Sequence, residues 1–257
     1  MDDISWTVLG SASGNPSPER ANAGQLLTIR DTLILFDCGS GVVSSFLKSG
    51  FEPASVKAVF ISHTHPDHCS DLPFLIQTLY LFKKNDPLDI FVPEEAVVLF
   101  ANLLSTCYLF KEKLGFDLQI NPIESRHDFP DDRVAVTPIP NKHLKNSAGV
   151  IEKFHYPNRM QSYSFRIEID NQDILYSSDL DSLDDIADYA DNLDLLVVEM
   201  MHIDFDDLTP FLKRKTIKRT LLTHVKDVSR PEITRKINTA PPDMKIELAD
   251  DCLTLRL

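Results

Sequence analysis

Short apolar runs, many of them β-branched or aromatic and bounded by Asp, Asn, Gly or Pro, recur along the whole chain. Val56-Lys57-Ala58-Val59-Phe60-Ile61-Ser62 is a clear case, and its composition is that of a central strand. By the same signals strands are expected over residues 4–11, 25–38, 88–92, 117–123, 133–139, 162–169, 172–178, 194–200, 219–223 and 245–256. Helices are expected over 42–48, 71–83, 94–110, 183–190, 207–215 and 230–238. Many strands, a meandering β stretch in the middle and helices in both halves point to two sheets packed together with helices outside. No linker, repeat or low-complexity tract divides the chain, so residues 1–257 are expected to form a single domain.

Composition narrows this picture. A chain of 257 residues with 43% hydrophobic side chains can bury a full core within one large α/β domain. No apolar stretch reaches membrane-spanning length, and Met1-Asp2-Asp3 is an acidic start rather than a signal peptide, so a cytoplasmic protein without a membrane partner is expected. Cys38, Cys69, Cys107 and Cys252 lack CxxC spacing and read as reduced, mostly structural thiols, although Cys69 adjoins His68 and is placed to line a site there.

The chemistry begins at His63-Thr64-His65-Pro66-Asp67-His68, three imidazoles and a carboxylate within six residues. Imidazole and carboxylate are ligands that borderline divalent metals prefer, and the cluster follows the carboxyl end of a strand, where α/β sheets place their ligands. The plainer alternative is a histidine-rich surface turn. His143, Asp179 and His224 each follow a later expected strand, at the same kind of place.

The H-x-H-x-D-H arrangement resembles the signature of the metallo-β-lactamase superfamily. That resemblance implies an α/β fold, the αβ/βα four-layer sandwich of two packed mixed β-sheets flanked by helices. It also implies a metal set in which His63, His65 and His143 hold one ion and Asp67, His68 and His224 a second. Asp179, at the end of Tyr176-Ser177-Ser178-Asp179, takes the place of a carboxylate bridging the two. Leu35-Phe36-Asp37-Cys38-Gly39-Ser40-Gly41 is similar to the family's strand-to-glycine turn, which gives Asp37 the role of orienting a ligand histidine through its other ring nitrogen. The ions implied are Zn²⁺, with Mn²⁺ or Fe²⁺ suited to the same donors.

Other stretches resemble the ribonuclease Z branch: Leu9-Gly10-Ser11-Ala12-Ser13-Gly14, Asp71-Leu72-Pro73-Phe74, Ser162-Tyr163-Ser164-Phe165 and Glu247-Leu248-Ala249-Asp250-Asp251-Cys252, where Cys252 replaces the usual Gly. Two features of that branch are missing. A transfer-RNA arm is expected after the strand at 162–169, but Ile169-Asp170-Asn171-Gln172-Asp173 reads as a bare turn. A His-Ser-Thr triplet that assists the leaving group has no counterpart between Met201 and Arg219. Glu199 then lacks its expected partner, with His202 the available substitute.

Charge adds to this. A net charge of −13 disfavours a polyanionic substrate, whose binding depends on Lys and Arg. The basic run Lys213-Arg214-Lys215-Thr216-Ile217-Lys218-Arg219 reads equally well as a solvated helix end. The function implied is a dinuclear-metal hydrolase in which a metal-bridged hydroxide, aided by Asp67, attacks a phosphodiester, whether ribonuclease Z-like or small and cyclic. A lactone, thioester or sulfate-ester hydrolase, and a non-enzymatic metal-binding protein, stay open. Transfer RNA is disfavoured as a partner, and a homodimer is open.

Overall fold

The computed structural model describes residues 4–129 and 133–257, which form two compact units, residues 4–123 with 250–257 and residues 124–129 with 133–249. The acidic start at Met1-Asp2-Asp3 lies outside the described residues.

The first unit is built on a seven-stranded sheet. Its strands are β1 (Ile4–Gly10), β2 (Gly24–Ile29), β3 (Thr32–Phe36), β4 (Val56–Phe60), β5 (Leu88–Val92), β6 (Leu118–Pro122) and β14 (Leu253–Arg256). In the order β14-β1-β2-β3-β4-β5-β6, the pairings from β14 to β3 are antiparallel and those from β3 to β6 parallel. The strand expected over 25–38 is two strands, because Arg30 adopts the left-handed conformation (φ 53°) and turns the chain. The crossovers of the parallel half carry helices, as parallel pairing requires. They are α1 (Val42–Lys48), then α2 (Pro66–Cys69) with α3 (Leu72–Leu81), then α4 (Val97–Thr106) with α5 (Lys111–Leu114). The helix expected over 94–110 is shorter, with a 3-10 turn at Glu94–Ala96 after Pro93 and an end at Thr106.

Strand alternation explains the core of this unit. Leu33, Leu35, Val59, Ile61, Ile90 and Val92 join α-helical Phe46, Leu75, Leu79 and Phe100 in one apolar cluster. Their sequence neighbours point the other way and form a row of stacked rings, Trp6 on Phe36 at 5.6 Å, Phe36 on Phe60 at 5.4 Å and Phe60 on Phe91 at 4.6 Å. Strands buried on both faces are rigid platforms for the turns that leave their ends.

The second unit repeats the scheme with β7 (His127–Phe129), β8 (Val134–Pro140), β9 (Tyr163–Ile169), β10 (Gln172–Tyr176), β11 (Leu195–Glu199), β12 (Thr220–Thr223) and β13 (Ile246–Leu248). Strands β7 to β10 pair antiparallel and β10 to β13 parallel, so both sheets combine an antiparallel meander with a parallel half. This repeat lies in topology, which is why the sequence shows none. Its helices are α6 (Ala148–Phe154), α7 (Phe205–Leu212) and α8 (Arg230–Thr239). The strand expected over 245–256 is divided, since β13 pairs with β12 while β14 pairs with β1 in the other sheet. The helix expected over 183–190 is a 3-10 turn, Leu183–Asp185, capped by Ser182 and Asp185 side chains that compete with helical hydrogen bonding. The short β7, α5 and α6 went without a sequence signal. No helix among the described residues is long and apolar enough to cross a membrane.

Candidate metal centre

In the first unit, β3 and β4 run parallel and side by side, so the turns after them meet. Asp37 follows β3 in the left-handed conformation (φ 61°), a strain that commonly marks functional turns. Its amide donates to Phe60 O at 2.8 Å, and its carboxylate accepts the Ser62 amide at 2.8 Å and the Ser62 hydroxyl at 3.0 Å. The same carboxylate lies 2.9 Å from His68 Nδ1, while Ser62 Oγ lies 3.0 Å from His63 Nδ1. The Nδ1 atoms of both buried imidazoles are thereby engaged, which directs the rings by their Nε2 edges. Nε2 of His68 faces Asp67 Oδ2 at 3.5 Å, and the His63 ring lies 4.1 Å from that of His68 and 4.7 Å from that of His65. His63, His65, Asp67 and His68 therefore form one group, with Asp37 in the expected orienting position.

Glycine and cysteine serve this loop in different ways. A Cβ on Gly39 would stand 2.0 Å from Asp67 O, and one on Gly14 would stand 3.1 Å from Asp67 Oδ2, so both glycines permit close backbone approach to the loop that carries Asp67. Cys69 hydrogen-bonds by Sγ toward His65 O at 3.4 Å, and burial, with help from Asp37 and Asp67, pushes its pKa up to about 12. It remains a thiol that closes the turn. All four cysteines are free.

In the second unit Asp179 is nearly fully buried beyond β10, after Ser178 in the left-handed conformation (φ 49°). Its Oδ2 lies 3.6 Å from His143 Nε2 and its Oδ1 lies 3.2 Å from His224 Nε2. His224 follows β12 and is itself left-handed (φ 55°), while His143 opens a 3-10 turn, His143–Ser147, beyond β8. The later strands thus bring His143, Asp179 and His224 together. Asn141 is the residue that sequence reasoning missed. Its Oδ1 accepts the His143 amide at 3.2 Å, and its Nδ2 donates to Asp179 O at 3.1 Å and to Ser164 Oγ at 3.2 Å. An Asn two residues before a strand-end His is an Asx-turn signal, the only hint the chain offered.

Glu199, buried at the end of β11, does have a partner. Its Oε1 lies 3.1 Å from His202 Nδ1, and its Oε2 accepts the amides of Met201 at 2.6 Å and His202 at 2.9 Å. The hydrogen bond that Glu199 accepts raises the His202 pKa above its ordinary value, against the opposing effect of burial. His202 Nδ1 is also 3.9 Å from Asp179 Oδ2. The basic run, in contrast, is largely engaged locally: Lys215 with Ala187 O, Lys218 with Asp194 and Arg219 with Glu247.

Comparison with known proteins agrees with these motifs. The curated ribonuclease Z of Pyrococcus abyssi is 33% identical over 123 residues, 48% of this chain and 39% of that one, so the chain spans well under half of that relative's length. The metallo-β-lactamase fold protein YhfI of Bacillus subtilis superimposes with a TM-score of 0.76 at 21% identity, covering 99% of each chain. The short form of human tRNase Z gives 0.73 at 20% identity, covering 98% of each. These structural matches identify the metallo-β-lactamase fold expected from the H-x-H-x-D-H signature. The family model described as Anti-Pycsar protein Apyc1 matches residues 4–240, nearly the whole chain, and on that match this metallo-β-lactamase-fold chain belongs to the Apyc1 family.

Proposed function

We propose that the chain is a metal-dependent phosphodiesterase working as one catalytic domain. In this reading His63, His65 and His143 hold one divalent ion, Asp67, His68 and His224 hold a second, and Asp179 is shared. The observation that carries it is the Asp179 carboxylate, which presents Oδ2 to His143 and Oδ1 to His224, as a shared ligand must. The donors, imidazole nitrogen and carboxylate oxygen, suit Zn²⁺ and also Mn²⁺ or Fe²⁺. Such ions supply an activated water at neutral pH and Lewis-acid stabilisation of the charge that develops on the phosphoryl group.

The chain's own groups do the rest. Asp37 and Ser62 hold His63 and His68 in one orientation, so the ligands need no reorganisation. Asp67 orients the attacking water and takes up its proton. His202, whose protonated form Glu199 favours, gives a proton to the departing oxygen. The likeness to proteins named ribonuclease Z and tRNase Z supports a phosphodiester bond as the target. The −13 charge and the tight β9–β10 turn at Asp170-Asn171 favour a small or cyclic phosphodiester over RNA.

The test is elemental analysis after metal reconstitution, with turnover of bis(p-nitrophenyl) phosphate beside chromogenic carboxylic ester and lactone substrates. About two divalent ions per chain and preference for the phosphodiester are expected, and Asp179→Ala should lose both ions and activity. Less than one ion per chain, or full activity and metal in Asp179→Ala, overturns the reading.

A further inference from the structure

The loop after β4 does not hold its own shape. Its helix α2 spans only Pro66–Cys69 and has no side-chain cap at His65, and one helical turn is unstable by itself in water. Thr64, His65 and Pro66 are exposed, so the core does not grip that part of the loop either. Yet His68 is fully buried, with Nδ1 2.9 Å from the Asp37 carboxylate. The position of His68 is therefore fixed by contacts from outside the loop.

The near end of the loop is anchored at Ser62, whose amide and hydroxyl both meet Asp37. The far end is anchored at Asp71. The Cys38 amide donates to His68 O at 2.7 Å and the Asp71 amide donates to Cys38 O at 2.9 Å, so the turns after β3 and β4 are zipped together as far as Asp71. Its side chain carries the zip one step further, with Oδ2 accepting the amides of Gly41 at 2.9 Å and Val43 at 3.2 Å. These amides belong to the start of α1, which has no cap from its own N-cap residue, Gly41. The group that closes this helix comes instead from 30 residues further along the chain. Burial pushes the Asp71 pKa up, while the amides of Val43, Gly41 and Val42 pull it down. A cap alone does not call for a half-buried carboxylate, since a nearby Ser or Thr hydroxyl satisfies the same amides. What a local cap would lack is the link between α1, the Cys38 turn and the end of the loop that holds His68.

We propose that Asp71 is a positioning residue, which clamps α1 and the Cys38 turn to the far end of the loop and so keeps the His68 ring against Asp37. The consequence for metal rests on the ligand set of the phosphodiesterase reading; the clamp on the ring does not. His63 is held from the near end, through Ser62 Oγ at 3.0 Å, so loss of Asp71 reaches His68 and spares His63.

The test compares Asp71→Ala, which removes the clamp, with Asp71→Asn, which keeps an oxygen able to accept the same amides. Chelator competition on the reconstituted protein reads the affinity of each ion. In Asp71→Ala one ion should bind about tenfold more weakly, the low end for groups that orient a ligand from behind, while the other binds as in wild type. Asp71→Asn should restore the first. Phe100→Leu, which trims the core beneath α4, should lower the melting temperature with both affinities unchanged. If Asp71→Ala does not fold, Asp71→Ser, too short to reach both amides, takes its place. A second readout needs no metal. The proton NMR spectrum of metal-free wild type should show a downfield imidazole N–H, absent from His68→Gln, for the bond from His68 to Asp37; Asp71→Ala should lose it and Asp71→Asn keep it. Affinities unchanged in Asp71→Ala, or both lowered alike, overturn the proposal, as does a His68 signal that is missing from wild type or survives in Asp71→Ala. If wild type binds less than one ion, the metal reading fails and the NMR comparison alone decides the clamp.

Discussion

The Asp37 carboxylate is engaged by the Ser62 amide and hydroxyl and by His68 Nδ1, all within 3.0 Å. Asp37→Asn keeps the volume but replaces one oxygen by a donor and removes the charge that favours the imidazole in this tautomer. A loss of roughly 10–100-fold in metal affinity is expected, as for other groups that orient a ligand from behind. Chelator competition on the purified variant measures it, and unchanged affinity would remove Asp37 from that role. His202 carries a pH signature. Glu199 raises its folded-state pKa, so its pairing stabilises the fold fully below the unfolded value near 6.5 and loses that contribution as pH rises through the raised folded value. In metal-free protein, the melting-temperature difference between wild type and His202→Gln should be largest on the acid side and shrink toward alkaline pH. A difference that grows with pH contradicts the pairing.

The turns between elements hold conformations that their sequences do not all favour. Asp251, in the turn before β14, ties that turn to both ends of the β1–β2 loop, accepting the Ser11 amide at 2.9 Å and hydroxyl at 2.7 Å and the Ala21 amide at 2.6 Å. Cys252, which follows, is left-handed (φ 65°) where glycine would be unstrained. Cys252→Gly should therefore stabilise by about 0.5–1 kcal/mol, the relief of the left-handed penalty less the added entropy of the unfolded glycine; denaturant unfolding with an equal or lower midpoint would refute this. The loops after β4 and β12 offer another test. If Asp67, His68 and His224 hold one ion as proposed, loss of any of them should disable the same charge-stabilising device, so double variants among them should cost little more than single ones. Additive losses in kcat/KM would separate them into independent sites.

At the scale of the whole molecule, the net charge of −13 and the engaged basic run oppose attraction of an RNA backbone. Accurate cleavage of a folded RNA also needs remote contacts to place the scissile bond, and the β9–β10 connection supplies no arm for them. Specific activity on a precursor transfer RNA should accordingly fall far below that on a chromogenic phosphodiester at matched metal and moderate salt. Efficient cleavage at the end of the acceptor stem would reverse the order and return RNA to the head of the candidate substrates.

Much of this could be read in the chain because local chemistry repeats in short windows. H-x-H-x-D-H, the Asp37 turn and the strand-end positions of His143, Asp179 and His224 rest on residue type and on alternation with period two, which survive folding unchanged. What folding alone decided are relations between distant residues. Asn141 holds His143 and Asp179 through bonds spanning 2 and 38 residues, and Glu199 gains His202 through the path of the chain beyond β11. The split of 245–256 between two sheets follows from strand pairing, since nothing local distinguishes a strand that continues from one that crosses to another partner. Likewise α6 gave no signal in the sequence, and only the three-dimensional structure shows that it forms and that none of its residues is buried.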